Sequence, residues 1–350
     1  MVEHLEGPED EADDEQGQAL YEHLRLVCDK GQDLLRIDKF LMNRIENATR
    51  TKVQAALEAG NIRVNDGLVK SSYRVKPFDV ITVLFARPPR DREILPEPIP
   101  LNIIYEDDDV VVVNKPAGLV VHPGHGNYSG TLINGLMHHF QHLPHFQEKH
   151  PRPGLVHRID KDTTGLILLA KTEFSLSFLA RQFFDRTVFR RYQALVWGEL
   201  AEESGTIVGN LGRNPRDRMQ MTVFPEGDQG KPAITHYRVL ERFRYLTLVE
   251  CRLETGRTHQ IRAHFKYLGH PLFGDVLYGG NRVLKGQPTG SYRQFVENCL
   301  EILPRQALHA KSLGFVHPTS RETMTFDSDL PSDMVEVMSR WRKMATGWAN

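Results

Sequence analysis

Asp160 is the side chain best placed to do chemistry in this 350-residue sequence. It lies in the stretch Gly154 to Thr172, GLVHRIDKDTTGLILLAKT, with Arg158 and Lys161 close by and Thr163, Thr164 and Gly165 just after it. A carboxylate beside cations can stay ionised and act as a nucleophile or as a general base. The second half of the stretch, Leu166 to Ala170, is a continuous apolar run of strand length. That pattern predicts a strand in a buried sheet, fed by a polar loop whose small residues let the backbone turn. Asp160 then stands at the rim of a core, on a rigid support of the kind that carries active-site loops. A solvated turn before a strand would have the same composition, and at this level both readings stand.

Other constellations carry less. Gly124, Gly126 and Gly130 in GHGNYSGT fit neither G-x-G-x-x-G nor G-x-x-x-x-G-K-[ST], so no nucleotide site is expected. His138 and His142 are spaced i, i+4 within a patch that includes His139, His145 and His150, but no acid lies at a supporting distance and prolines interrupt the segment. No metal site is expected, and no cofactor. Glu250 or Glu254 could supply the second carboxylate that glycoside hydrolysis requires, although no spacing makes either converge on Asp160. Three cysteines, Cys28, Cys251 and Cys299, are too few and too far apart for a disulfide framework, which points to reduced structural thiols.

The elements that must position Asp160 can be read along the chain. Residues 1 to 15 carry eight acids and no Lys or Arg, so the net charge of −1 conceals +7 in the remainder. Residues 1 to 24 are expected to form a disordered acidic tail, and one reading has the tail masking a basic patch until RNA displaces it. The patch would be residues 25 to 92, with 14 Lys and Arg against 8 Asp and Glu. Within it, Ile37, Phe40, Leu41 and Ile45 recur at helical spacing, Thr49 caps a second helix over Val53, Ala56 and Leu57, and Ile62 and Val64 alternate into the turn Asn65-Asp66-Gly67 before a strand at Val80 to Leu84. The proline-rich stretch ARPPRDREILPEPIP reads as a semi-rigid linker.

Beyond the linker, Val110 to Val113 is a buried-strand run, Thr131 to Phe140 a helix, and Glu173 to Asp185 an amphipathic helix. Arg190 to Val196 is a strand bearing Tyr192, a residue that composition alone would place in a core. Arg213 to Phe224 reads as a basic hairpin, or equally as a solvated loop. Leu248 to Glu254 alternates as a half-buried strand, and Arg257 follows at a strand-to-helix turn that Thr258 can cap. Residues 281 to 304 look like a loose insertion, Gln306 to Phe326 a closing strand pair, and Pro331 to Trp341 a terminal helix. No apolar run spans a membrane and no secretory leader is evident, so a cytoplasmic location with no membrane partner is expected.

HRIDKDTTGLILLAKT resembles the sequence around the catalytic aspartate of the RluA-type pseudouridine synthases. YEDDDVVVVNKPAGLVVHPG, RRYQALV and LVECRLETGRTHQIRAHF resemble further segments of that family, so the likeness covers nearly all of residues 30 to 330. Ile159 and Thr164 stand where Leu and Ser are common, and both are conservative changes. Residues 35 to 85, through EAGNIRVNDGLVKSSYRVKPFD, resemble the small RNA-binding module named after ribosomal protein S-four.

The resemblance implies an α+β protein. Its catalytic domain, over 101–345, would be built on a mixed, largely antiparallel sheet with flanking helices, joined by a linker at 87–100 to a small α+β S-four-like domain at 25–86. It implies an isomerase that breaks and re-forms the glycosidic bond of uridines without a cofactor, with large-subunit ribosomal RNA or the pre-ribosomal large subunit as partner and a monomer as the working state. Its catalytic residues would be Asp160, Tyr192 stacking on the target base and Arg257 pairing with the carboxylate. Arg158 would fill the vacated stack. Arg36, Arg50, Lys52, Arg63, Lys70 and Arg74 would contact RNA. The alternative on the same fold is a non-catalytic RNA-binding ribosome-assembly protein, whose mark would be loss of the Asp, the Tyr or the Arg.

Overall fold

A computed structural model of the chain describes residues 21–45, 48–85, 94–124, 126–143, 153–287 and 289–347. Two units separate between Arg92 and Glu93. The first contains β1 (Tyr21–Val27), α1 (Ile37–Arg44), α2 (Arg50–Glu58), β2 (Ile62–Val64), β3 (Gly67–Leu68) and β4 (Val80–Phe85). Its sheet has the order β1-β4-β2-β3, and Ile37, Phe40, Leu41, Val53 and Leu57 pack its helices over it. The Thr49 hydroxyl accepts the Lys52 N–H and so satisfies one donor at the start of α2. Asn65 and Asp66 both adopt positive φ, 48° and 64°, as a tight hairpin turn with the twist of its strands requires.

The acidic tail expected over residues 1–24 lies outside the described residues except at its end, where the structure departs from expectation. Tyr21 to Leu24 belong to β1, which pairs antiparallel with β4. Leu24 and Leu26 pack against the core of this unit. A short run of alternating residues beside eight acids offers little periodic signal, and the ladder is what orders it.

The second unit is organised on a ten-stranded sheet. It comprises β5 (Ile103–Glu106), β6 (Val110–Lys115), α3 (Leu132–His139), β7 (Thr164–Ala170), α4 (Glu173–Phe184), β8 (Phe189–Trp197), β9 (Ser204–Asn214), β10 (Asp217–Phe224), β11 (Lys231–Arg242), β12 (Leu246–Leu253), α5 (Gln260–Tyr267), α6 (Gly290–Ile302), β13 (Leu308–Val316), β14 (Thr323–Asp327) and α7 (Ser332–Gly347). The strand order is β10-β9-β11-β12-β8-β13-β7-β6-β5, with β14 on β13. Among the described residues only the β13 and β7 pair is parallel, so the sheet is mixed and largely antiparallel. Every residue of β7 is buried, which is why its sequence is apolar without alternation.

The loose insertion expected at 281–304 is instead ordered over most of its length. α6 buries Tyr292, Val296 and Cys299 at i, i+4 and i+7 against Trp341 of α7. Glycines and a proline just ahead of it obscure that stripe in the sequence.

One glycine sets the spacing of the sheet beneath Asp160. Gly165 has φ of +111°, and a Cβ there would lie 2.3 Å from the Ala310 carbonyl oxygen on β13. Both the backbone conformation and the contact forbid a side chain. Gly165→Ala is therefore expected to cost about 3 kcal/mol or more and to lower the melting temperature by roughly 6–12 °C, measured by calorimetry. An unchanged melting temperature would mean that β7 and β13 can separate freely.

Candidate active site

The loop that carries Asp160 is fixed through its own carbonyls. The Asp160 carbonyl accepts the Thr163 N–H at 3.1 Å. The Lys161 carbonyl accepts Lys115 Nζ at 2.7 Å, and the Asp162 carbonyl accepts Arg305 Nη1 at 3.0 Å. Lys115 is fully buried, and its ammonium also donates to the Pro116 and Leu119 carbonyls at 2.8 Å each, so all three of its N–H groups are used. Burial pushes its pKa down to about 7, against the pull of Asp162 and Asp160. Arg305 in turn is held by both oxygens of Asp333 at the start of α7, at 2.8 and 2.9 Å. Thr164, first in β7, shares a 2.8 Å hydrogen bond with His309 of β13. Burial pushes that imidazole down to about 4, which keeps it neutral.

Asp160 meets its cation in α5. Arg262 Nη1 donates to Asp160 Oδ2 at 2.9 Å, while its Nε and Nη2 donate to the two oxygens of Asp275 at 2.7 and 2.9 Å. Asp275 is completely buried, whereas the Asp160 side chain keeps 21% exposure. The guanidinium also lies 5.0 Å from the Tyr278 ring centroid. Burial opposes its charge, but the bonds to Asp275 and then Asp160 outweigh that and raise its pKa above the ordinary arginine value. His259 Nε2 stands 3.9 Å from Asp160 Oδ2, and burial lowers its pKa, so a neutral ring is favoured there.

Tyr192 on β8 is buried in the same core cluster as Ile159 and Ile261, the neighbours in sequence of Asp160 and Arg262. Burial raises its phenol pKa, the nearby Asp160 charge adds to the rise, and Arg190 opposes it. Asp160 and Arg262 therefore pair at a partly open position, and the Tyr192 ring lies in the core cluster beside their sequence neighbours, close enough for the Asp160 charge to act on its phenol.

Arg257 is not brought to this position. Its Nε donates to the Pro232 carbonyl at 3.2 Å and its backbone N–H to Gln260 Oε1 at 3.0 Å. The ion pair that the family resemblance implies for Arg257 is made in this structure by Arg262, five residues on and inside the helix. Thr258 is not the cap either: His259 takes that position with φ of +52°, and Gln260 Oε1 also accepts the Thr255 hydroxyl. Arg158 is exposed in the loop two residues before Asp160. A signal for Arg262 existed in Asp275, a carboxylate within the apolar stretch GHPLFGDVLYGG that demands a buried cation.

In the first unit, Arg36 and Arg50 converge on buried Asp38, at 2.7 and 3.5 Å. Arg36 and Arg74 form a backbone bridge, Arg74 and Lys70 are exposed, and Lys52 and Arg63 are half-buried. Of the histidine patch, His139 pairs with Glu106 at 2.9 Å, and His145 and His150 lie outside the described residues. Among the described residues no His, Cys, Asp or Glu group is arranged to hold a metal.

Residues 109–267 match the RNA pseudouridylate synthase family and residues 35–81 match the S4 domain. An uncharacterized RNA pseudouridine synthase of Chlorobaculum parvum is 47% identical over 325 residues, covering 92% of this chain and 99% of that protein. Another, of Bacillus subtilis, is 45% identical over 91% of this chain and 98% of its own length. The ribosomal large subunit pseudouridine synthase D of Nitrosomonas europaea is 43% identical over 89% of this chain and 85% of that protein. Identity at this level across almost the full length of these relatives means that the chain belongs to the RNA pseudouridine synthase family, isomerases of uridine in RNA, and that it carries an S4 domain ahead of the catalytic one.

Proposed function

We propose that this enzyme isomerises specific uridines of large-subunit ribosomal RNA, with Asp160 starting the reaction. Pseudouridine formation breaks the bond between uracil N1 and ribose C1′, turns the base, and joins C5 to C1′ with loss of the C5 proton. An ionised carboxylate can open the first bond by attacking C1′ or by taking the 2′ proton. The observation that carries this reading is the 2.9 Å pair between Asp160 and an arginine already anchored on buried Asp275, which fixes the carboxylate in place and leaves it partly exposed.

A uridine in folded RNA must leave its stack to reach this position. Tyr192 offers a face for the extruded base, where stacking is worth about 1–3 kcal/mol, and Arg158 is exposed where it can occupy the space left behind. The S4 domain, with Arg36, Arg50, Lys52, Arg63, Lys70 and Arg74, would extend the RNA footprint. Relatives named for the large ribosomal subunit support that substrate. Among the described residues no helix is long and apolar enough to cross a membrane. Cys28, Cys251 and Cys299 are free and buried, which is compatible with a reducing compartment such as the cytoplasm. In a strain lacking the gene, particular pseudouridines of large-subunit ribosomal RNA are expected to disappear on chemical mapping and to return with the wild-type gene. An unchanged map would reject the substrate, and return of the sites with an Asp160→Asn gene would favour the ribosome-assembly alternative.

A further inference from the structure

Among the described residues Arg190 has no counter-charge. It sits on β8 two residues before Tyr192, hence on the same face of the strand, and is half-buried. Its guanidinium lies 5.3 Å from the Phe183 ring centroid, and that ring stacks on His157 at 4.7 Å. Arg190 Nη1 would be 3.2 Å from a Cβ at Gly256, in the exposed turn that leads to Arg257 and α5. Arg190 Nε is buried without a hydrogen-bond partner, and among the described residues no carboxylate pairs with the side chain. The adjoining imidazole is neutral, since burial pushes His157 down to about 3, so it offers the guanidinium no counter-charge. A half-buried cation with an unmet donor, held in place by an aromatic ring, is costly in the empty protein and suits an anion that arrives from outside.

We infer that Arg190 is a phosphate-binding residue of the active site, which takes a backbone phosphodiester next to the target nucleotide when the base enters against Tyr192. This rests on the RNA-modifying reading above and adds a contact to it. The guanidinium fork suits two phosphate oxygens, and the Phe183 ring fixes its plane beforehand, so little side-chain freedom is lost on binding. The phosphate would lie at the Gly256 turn, where a larger residue would press on the guanidinium. Arg190 is thus a positioning residue: it sets where the sugar of the extruded uridine sits relative to Asp160 and has no part in bond breaking.

The test compares full-length wild type, Arg190→Gln and Arg190→Lys on one RNA hairpin containing a modified uridine. Arg190→Gln is expected to raise KM about tenfold with kcat within about threefold, and to reduce the slope of log affinity against log salt by roughly 0.7–0.9, the loss of one phosphate contact. Arg190→Lys should keep the slope. A methylphosphonate placed singly at each linkage around the target should, at one linkage, weaken wild type by a similar factor and leave Arg190→Gln unaffected. An unchanged salt slope in Arg190→Gln, or equal sensitivity of wild type and variant at every linkage, overturns the assignment, including where the variant is merely less stable. Wild-type turnover on that hairpin reports on the proposed function by itself, whereas the Arg190 assignment is read only from differences between variants.

Discussion

Asp160→Asn is expected to remove turnover by more than about 10³-fold while RNA affinity stays within a few fold. The amide matches the carboxylate in size, and its oxygen can still accept Arg262 Nη1, so the 2.9 Å contact and the loop around it survive. What is lost is the negative charge, and with it both ways of opening the glycosidic bond. Arg262 remains neutralised by Asp275, so the substitution leaves no uncompensated buried cation and stability should change little. Release of tritium from uridine labelled at C5 follows the reaction directly, because joining C5 to C1′ expels that proton. Turnover within tenfold of wild type would exclude Asp160 from the chemistry, and a large loss of RNA affinity would mean that its charge serves binding.

The support beneath Asp160 was legible because its surroundings repeat a physical rule at short range. A polar loop followed by five apolar residues reads as a buried strand, and β7 is buried throughout. The hairpin turn at Asn65 and Asp66 and the cap at Thr49 were equally local, since each rests on contacts within three residues. What failed depended on partners distant in sequence. The cation for Asp160 stands 102 residues later, and which of two arginines reaches it is decided by the 13-residue step from Arg262 to Asp275. Nothing in GRTHQIR ranks the exposed turn above the inner helix face until that carboxylate is placed. The support under the loop is likewise non-local: Lys115 and Arg305 come from opposite sides of the sequence to hold successive carbonyls. α6 was obscured by the glycines and proline just ahead of it, and its apolar stripe too acquires meaning only once distant Trp341 is there to cover it.

Arg262 is where folding and chemistry meet, and substitution can separate them. Arg262→Met would leave Asp275 charged and completely buried, with the Tyr278 N–H at 3.1 Å as a remaining donor. Breaking a buried pair in this way costs about 3–5 kcal/mol, which for a unit of this size lowers the melting temperature by roughly 6–20 °C. Removing both charges is far milder, because an apolar pair of similar volume needs no solvation. Arg262→Met combined with Asp275→Leu should therefore regain most of the lost stability, and calorimetry of the two variants checks that. Turnover should not return, because Asp160 would still lack the guanidinium that holds it in place. Arg257→Ala supplies the contrast: it loses a hydrogen bond to the Pro232 carbonyl at the surface, and its turnover should remain within a few fold of wild type. If the double variant recovers activity together with stability, Arg262 acts through folding alone. If Arg257→Ala is the variant that loses turnover, then Arg257 must move to the carboxylate when RNA binds, and the pair seen here belongs to the resting enzyme.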